Sequence, residues 1–99
     1  HMFVKFYRYK VENKNLNLWK KINDRTRIIF KRCGVKSQRL LRKDREFTHI
    51  IEIEYYESKK YFLKVSKKID KNEEVKSLYK EFMSIVYGKR LIEEDFDKI

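Results

Sequence analysis

Hydrophobic and polar residues alternate along this chain with two different periods, and these periods divide it into strands and helices. Phe3 to Val11 alternates every second residue and is rich in β-branched and aromatic side chains, as strands are. Apolar residues at helical spacing run from Trp19 to Cys33 and end at Gly34, and a second such stripe ends before Gly88. Because glycine tolerates the left-handed turn that closes a helix, both glycines are predicted to be C-terminal caps.

Turn and cap residues complete the division of the chain. Lys43-Asp44-Arg45 predicts a tight turn, Ser58 an N-cap, and Asp70-Lys71-Asn72-Glu73 resembles a capping box. The predicted elements, in chain order, are strand 1 (Phe3–Val11), helix 1 (from an asparagine cap within residues 13–15 to Gly34), strand 2 (Val35–Arg42), strand 3 (Glu46–Tyr56), helix 2 (from Ser58), helix 3 (from Asp70–Glu73) and strand 4 (Leu91–Phe96). The order β-α-β-β-α-α-β, with helices on one face of a four-stranded antiparallel sheet, predicts a ferredoxin-like α+β sandwich in which residues 1–99 form one domain.

Strand 3 alternates most clearly, and its two faces differ in polarity. One face is formed by Phe47, His49, Ile51, Ile53 and Tyr55, and the other by Thr48, Ile50, Glu52, Glu54 and Tyr56. We expect the first set to pack under the helices because it is the more apolar, which makes His49 a core histidine. The second set is expected to face outward or into a cleft. In strand 1, Phe3, Tyr7, Tyr9 and Val11 share one face and Val4, Phe6, Arg8 and Lys10 the other, and the pattern leaves open which looks inward.

Glu52, Glu54 and Tyr56 are the candidate catalytic residues. Their period-2 spacing places all three side chains on one face of strand 3. A carboxyl group enclosed in an apolar cavity holds its proton more tightly and is suited to proton transfer. Tyr7 or Arg8 could supply a hydrogen-bond donor, depending on which face of strand 1 is inside. The alternative is that the two glutamates form structural ion pairs with arginine or lysine.

The net charge of +11 is unevenly distributed, because the excess of positive charge lies within residues 1–45. The outer face of helix 1 is expected to be basic, with Lys20, Lys21, Arg27 and Lys31. A cluster that could contact nucleic-acid phosphates without reading sequence lies between residues 31 and 45. Its members are Lys31, Arg32, Lys36, Arg39, Arg42, Lys43 and Arg45. The alternative is a solvated basic surface, since the lysine- and glutamate-rich composition is typical of thermophile proteins.

Composition narrows the remaining classes of protein. Seven Phe, seven Tyr and one Trp are more aromatic residues than a small monomer core absorbs, which favours self-association. The lone cysteine, Cys33, excludes an internal disulfide, fits the cytoplasm, and is expected to act as a small buried hydrophobe. His1 before Met2 resembles a cloning remnant. With His49 then the only native histidine, no metal site is expected, and no apolar run is long enough to indicate a membrane partner.

The segment Glu54-Tyr55-Tyr56-Glu57-Ser58 resembles the E-x-W-x-S signature of the dimeric α+β barrel superfamily, which includes antibiotic-biosynthesis monooxygenases and haem-degrading relatives. Strand 1, the early aromatic Trp19 and the split second helix fit the same pattern. The resemblance implies that two sheets pack face to face in a homodimer and enclose a cavity in each subunit. Haem-degrading members have an asparagine on the first strand, a tryptophan where this chain has Tyr56, and a histidine on the following helix. This chain lacks all three, so no cofactor is expected.

Three functional hypotheses therefore remain. The first is a homodimeric barrel that binds a small aromatic or apolar molecule and resembles a cofactor-independent monooxygenase, with catalysis itself left open. The second is a basic dimer that binds nucleic acid through the cluster between Lys31 and Arg45. The third is a purely structural dimer whose cavity is filled by its own side chains.

Overall fold

Seven main elements make up the computed structural model, which describes residues 1–99. They are β1 (Met2–Glu12), α1 (Leu16–Arg32), β2 (Lys36–Lys43), β3 (Phe47–Tyr56), α2 (Lys59–Asp70), α3 (Glu73–Ile85) and β4 (Ile92–Lys98), with short 3-10 turns at Asn13–Asn15 and Tyr87–Lys89. The strands form one antiparallel sheet in the order β2-β3-β1-β4. The predicted element order and the ferredoxin-like α+β class are confirmed.

Side-chain caps define the start of α2 and α3. The Ser58 hydroxyl accepts a hydrogen bond from the backbone N–H of Tyr61 at 3.0 Å, as predicted. The cap of α3 is Asn72, whose side chain accepts from the backbone N–H of Val75 at 3.0 Å. The capping box that we predicted to begin at Asp70 is therefore wrong, because Asp70 still belongs to α2.

The asparagines before α1 have a different role from the predicted cap. Asn15 occupies the cap position but makes no side-chain capping bond. Asn13 instead donates from its amide to the carbonyl oxygen of Asp44 at 2.9 Å and accepts from the Thr48 hydroxyl at 2.8 Å. The asparagine thus ties the end of β1 to the turn between β2 and β3.

The two glycines differ in their relation to the helices. Gly34 has φ +83° immediately after α1, so its predicted capping role is confirmed. A Cβ atom there would also lie 3.0 Å from the Tyr61 hydroxyl. Gly88 has φ +63° but lies in the 3-10 turn after α3, which itself ends at an extended Val86. Gly88 is therefore not a direct cap, and that part of the prediction is wrong.

The helices cover the opposite face of β3 from the one we predicted. The buried residues of β3 are Thr48, Ile50, Glu54 and Tyr56, and they pair across the sheet with the β1 face that contains Phe3, Lys5, Tyr9 and Val11. The prediction compared the number of apolar residues on the two faces of β3, and it failed because the uncovered face of this strand is apolar too. His49 accordingly lies on the uncovered face, where its Nε2 is 2.7 Å from Asp44 Oδ2, and is not a core histidine.

The face of the sheet that no helix covers is called here the open face. Register places on it the side chains of Val4, Phe6, Leu40, Ile51, Ile53, Tyr55, Ile92 and Phe96. Leu40 is 56% exposed and Phe96 is 50% exposed. A large apolar surface of this kind in a small protein indicates an interaction site.

Candidate functional site

A cavity of about 150 Å³ lies between the sheet and the helices α1 and α3. Its lining includes members of the apolar cluster around Trp19 and Ile50 and residues that pack against a second cluster around Phe3 and Tyr56. Most of its walls are apolar or aromatic, and its polar side chains converge from β1, β3 and α1. The lining residues are Tyr7, Tyr9, Trp19, Ile22, Asn23, Thr26, Arg27, Phe30, Glu52, Glu54, Val75, Leu78, Tyr79, Phe82 and Leu91.

Glu54 lies on the floor of the cavity, and its carboxylate has two partners within the chain. The Tyr56 hydroxyl donates to Oε1 at 2.9 Å, and Nη1 of Arg27 donates to Oε2 at 3.2 Å. The Glu54 side chain is only 5% exposed and that of Arg27 only 17%. Isolated charges are costly to bury, so the arginine compensates the carboxylate.

Glu52 is held by a second set of contacts. The Tyr9 hydroxyl donates to Oε2 at 2.8 Å and accepts from Nε1 of Trp19 at 2.7 Å. Nη1 of Arg39 lies 3.6 Å from Oε1. Burial and the neighbouring Glu52 charge raise the pKa of Tyr9, so its hydroxyl stays protonated and remains a donor. Both glutamates therefore make the structural ion pairs that the sequence left as an alternative.

Tyr7 lines the cavity, and its hydroxyl has no hydrogen-bond partner within the protein. Burial raises its pKa, and the negative charges of Glu54, Glu93 and Glu52 raise it further, so the group is a neutral donor. The Asn23 amide also lines the cavity without a protein partner. Of the two donors considered from the sequence, Tyr7 is inside, while Arg8 is exposed on the open face.

Tyr56, the third candidate catalytic residue, lies beside the cavity without lining it. Its ring is buried and packs edge-on against Phe62 at a centroid distance of 5.0 Å. Its contact with the site is the hydrogen bond to Glu54. Burial and the Glu54 charge raise the pKa of Tyr56, which keeps this hydroxyl protonated. The structure thus brings the three predicted side chains together, and Tyr56 contacts the site only through Glu54.

Arg27 and Asn23 are polar residues of the site that the sequence did not reveal. Arg27 was assigned to the basic outer face of helix 1, which is wrong: its guanidinium lies inside, 4.5 Å from the centroid of the Phe30 ring. Its Nε is buried without a partner. The spacing of Asn23, Arg27 and Phe30 at i, i+4 and i+7 is the signal that could have found them, since these positions share one helical face.

The basic cluster predicted between residues 31 and 45 does not form one surface. Lys31 and Arg32 end α1, and Arg45 lies in the turn after β2. Along β2, Lys36 and Arg42 point to the open face, whereas Arg39 and Lys43 point to the helix side. Arg39 is mostly buried against Glu52. Alternation along the strand therefore separates the charges that the sequence places together.

No group of three or more histidine, cysteine or acidic side chains has the arrangement of a metal site. Cys33 is partly buried at the end of α1 and has no disulfide partner. None of the helices has the length together with the apolar character that crossing a membrane requires.

No protein-family profile matches the chain, and no curated protein is similar to it in sequence. Solved structures are similar in fold. SnoaB, a cofactor-independent oxygenase from Streptomyces nogalater, has a TM-score of 0.75 and 12% identity over 98% of this chain and 92% of its own. The designed protein Foldit4 has a TM-score of 0.66 and 13% identity over the whole of both chains.

A third solved structure, described as an antibiotic biosynthesis monooxygenase from Bacillus cereus, has a TM-score of 0.57 and 13% identity over 100% of this chain and 98% of its own. At such low identity, these similarities establish a common fold and leave the activity open. The chain thus has the ferredoxin-like α+β fold that antibiotic biosynthesis monooxygenases adopt.

Proposed function

We propose that this protein is a homodimer joined through its open sheet faces, and that each subunit binds a small, largely apolar ring compound in its cavity. The observation that supports a ligand most directly is Tyr7, a half-buried residue that lines an apolar cavity of about 150 Å³ and whose hydroxyl makes no hydrogen bond within the protein. This hydroxyl is therefore free to donate to a ligand oxygen.

Two features of the sheet support a second copy of this chain as the partner of the open face. Each of the four strands contributes apolar side chains to the face, from Leu40 on β2 to Phe96 on β4. Its two edges differ in charge, since on this face β2 carries Lys36 and Arg42 while β4 carries Glu94 between Ile92 and Phe96. A twofold axis parallel to the strands places β2 of one protomer beside β4 of its partner at both seams. Apolar contact and charge complementarity then act together.

The size and lining of the cavity limit the ligand. Apolar protein cavities of about 150 Å³ hold one benzene-sized ring. Aromatic side chains of Tyr9, Trp19 and Phe82 line the walls, so a flat ring is favoured over a branched chain. Tyr7 and Asn23 offer hydrogen bonds to a hydroxyl or carbonyl group on that ring. Within a single chain the cavity is unfilled, which supports a ligand over the hypothesis of a barrel filled by its own side chains.

Oxygenation without a cofactor is the reaction that we propose for this site. A ring methylene beside a carbonyl has acidic C–H bonds, and O₂ converts it to a second carbonyl with release of one water, so no external reductant is needed. In this scheme Glu52 or Glu54 accepts the proton, and Tyr7 donates to the oxyanion that forms. Tyr56 and Arg27 hold Glu54 in place. The fold similarity to SnoaB, a cofactor-independent oxygenase, supports this class of reaction.

Binding is tested with phenol and cyclohexenone as single-ring probes, by calorimetry on the wild type and on Tyr7→Phe. The variant removes one unpaired hydroxyl, so we expect weaker binding by about tenfold with little change in stability. Tyr55→Phe is the matched control, because that hydroxyl lies on the open face and contacts Gln38 at 3.1 Å. Equal affinity in wild type and Tyr7→Phe would refute the cavity as the binding site. Oxygen consumption with cyclohexenone, compared between wild type and Glu54→Gln, tests the reaction separately.

The dimer is tested by Ile53→Asp on the open face. A carboxylate at the centre of an apolar interface is expected to shift the sedimenting mass from twice the chain mass to the 12.4 kDa of one chain. Leu63→Asp is the control, since Leu63 is an exposed apolar residue of α2, 51% accessible and outside the open face. A wild-type protein that sediments as a monomer at micromolar concentration would refute the proposal.

A further inference from the structure

Helix α2 presents an exposed row of lysines that takes no part in the proposed function. Lys60, Lys64, Lys67, Lys68 and Lys71 recur at i, i+4, i+7, i+8 and i+11, so they lie along one side of the helix. The row extends over about 16 Å at 1.5 Å per residue. None of these lysines is within ion-pair distance of an acidic side chain, whereas Lys5 and Lys76 elsewhere in the chain have acidic partners.

The tertiary structure places the end of α1 beside this row. Gly34 approaches Tyr61 so closely that the end of α1 lies against α2. An open groove of about 850 Å³ results, and its lining contains no acidic residue. The lining residues are Cys33, Ser58, Lys60, Tyr61, Leu63, Lys64, Val65, Lys67 and Lys68. Lys31 and Arg32 immediately precede Cys33 in the chain.

We propose that this groove, the α2 groove, binds the phosphate backbone of a nucleic acid. A straight row of about 16 Å spans roughly five base-pair steps at 3.4 Å each, which suits a linear polyanion with regularly spaced charges. Lysine contacts to phosphates provide affinity without sequence preference. This site is separate from the cavity and differs from the cluster predicted between Lys31 and Arg45, since only the first two residues of that cluster are near it.

A membrane surface fits α2 less well than a nucleic acid does. Helices that bind bilayers insert an apolar face between the lipids. The apolar face of α2 is used in the core, where Val65 and Ile69 are buried, and Leu63 is exposed alone among lysines. Electrostatic attraction to the lipid headgroups would be the only contribution left.

The test is fluorescence anisotropy of the full chain with a short DNA duplex and the matching single-stranded RNA over a series of NaCl concentrations. With four or five phosphate contacts, log Kobs for the duplex should fall with log[NaCl] at a slope of about −4. The double variant Lys64→Gln/Lys67→Gln loses two phosphate contacts, so its slope should be less steep by about 2. Its affinity at 0.1 M salt should be weaker than that of the wild type on the order of 50-fold. Both lysines are exposed, so an unchanged thermal melting curve is expected to show that the variant folds.

Lys20→Gln/Lys21→Gln is the matched control, because it removes the same charge from exposed positions near the start of α1. Its salt slope should equal that of the wild type. Equal losses in both double variants would show a general charge effect and overturn the site. Absence of wild-type binding at 0.1 M salt would overturn it as well. Tighter binding to phosphatidylserine vesicles, or equal competition by polyglutamate, would assign the groove to a membrane or to an acidic protein instead. All of these results are independent of cavity binding.

Discussion

Replacing Glu54 by glutamine tests how far the site depends on its buried ion pair. The change keeps the shape of the side chain and leaves an amide oxygen that can accept the bond from Tyr56. It removes the negative charge that compensates Arg27, whose side chain is 83% buried and whose Nε already lacks a partner. An uncompensated guanidinium would then remain inside the protein.

The expected cost is about 3 kcal/mol of the free energy of unfolding, the lower end for breaking a buried ion pair. For a domain of this size that lowers the melting temperature by roughly 12–24 °C. The exposed pair between Arg25 of α1 and Glu74 of α3 is the control. Its side chains are 44% and 46% exposed, and the second contact, from Nη2 of Arg25 to Oε1 of Glu74, is 2.8 Å. Because exposed ion pairs contribute little to stability, Glu74→Gln should destabilise the protein much less than Glu54→Gln.

The assay is urea unfolding at pH 7, followed by tryptophan fluorescence of Trp19, on four proteins. They are the wild type, Glu54→Gln, Arg27→Met and the double variant. Because the double variant removes both charges, it should be more stable than the sum of the single effects predicts, with a coupling energy of about 2 kcal/mol. Equal costs for Glu54→Gln and Glu74→Gln, or additive effects in the double variant, would refute the view that this pair is a coupled, buried unit.

Three further predictions concern other parts of the molecule. Tyr9→Phe leaves the buried Trp19 N–H unpaired and should lower the free energy of unfolding by about 1–3 kcal/mol in the same urea assay; no change would mean that water replaces the hydroxyl. Gly34→Ala should destabilise more than Gly88→Ala, since both residues have positive φ but only Gly34 closely approaches another side chain; melting temperatures that rank the opposite way would contradict this. Backbone N–H groups of the β2–β3 turn and the contact with His49 lower the pKa of Asp44 to about 2. The ionised Asp44 therefore stabilises the fold fully above about pH 4, and this contribution is lost as the pH falls from 4 to 2. In Asp44→Asn that loss should be absent, and parallel melting-temperature profiles of the variant and wild type over this range would contradict the assignment.

Local signals were enough to predict much of the fold. Alternation in β1 and β3, the helical stripe from Trp19, the Ser58 cap and the left-handed Gly34 depend on residues within one or two turns of each other. The same period-2 rule correctly placed Glu52, Glu54 and Tyr56 on one face of one strand. The contacts within a single helix or strand depend only on the sequence of that element.

The side of the sheet on which the helices pack was not predictable in this way. Both faces of β3 contain large apolar side chains, and the covered one is selected by pairing of Tyr9 with Ile50 and by the handedness of the β-α-β crossovers. The prediction for His49 consequently placed it on the wrong side of its strand. An apolar open face that suits a partner copy resembles a core face as long as only one strand is considered.

The sequence by itself determined the order of the elements, the alternation that places two glutamates side by side, and the excess of positive charge. Only the tertiary structure decided what surrounds these groups. It placed Arg27 and Arg39 against the two carboxylates, left the hydroxyl of Tyr7, which lines a cavity, without a protein partner, and brought the end of α1 beside the lysines of α2. The physical reason is that burial and charge compensation depend on residues from several elements, whose relative positions are set by the packing of the whole domain.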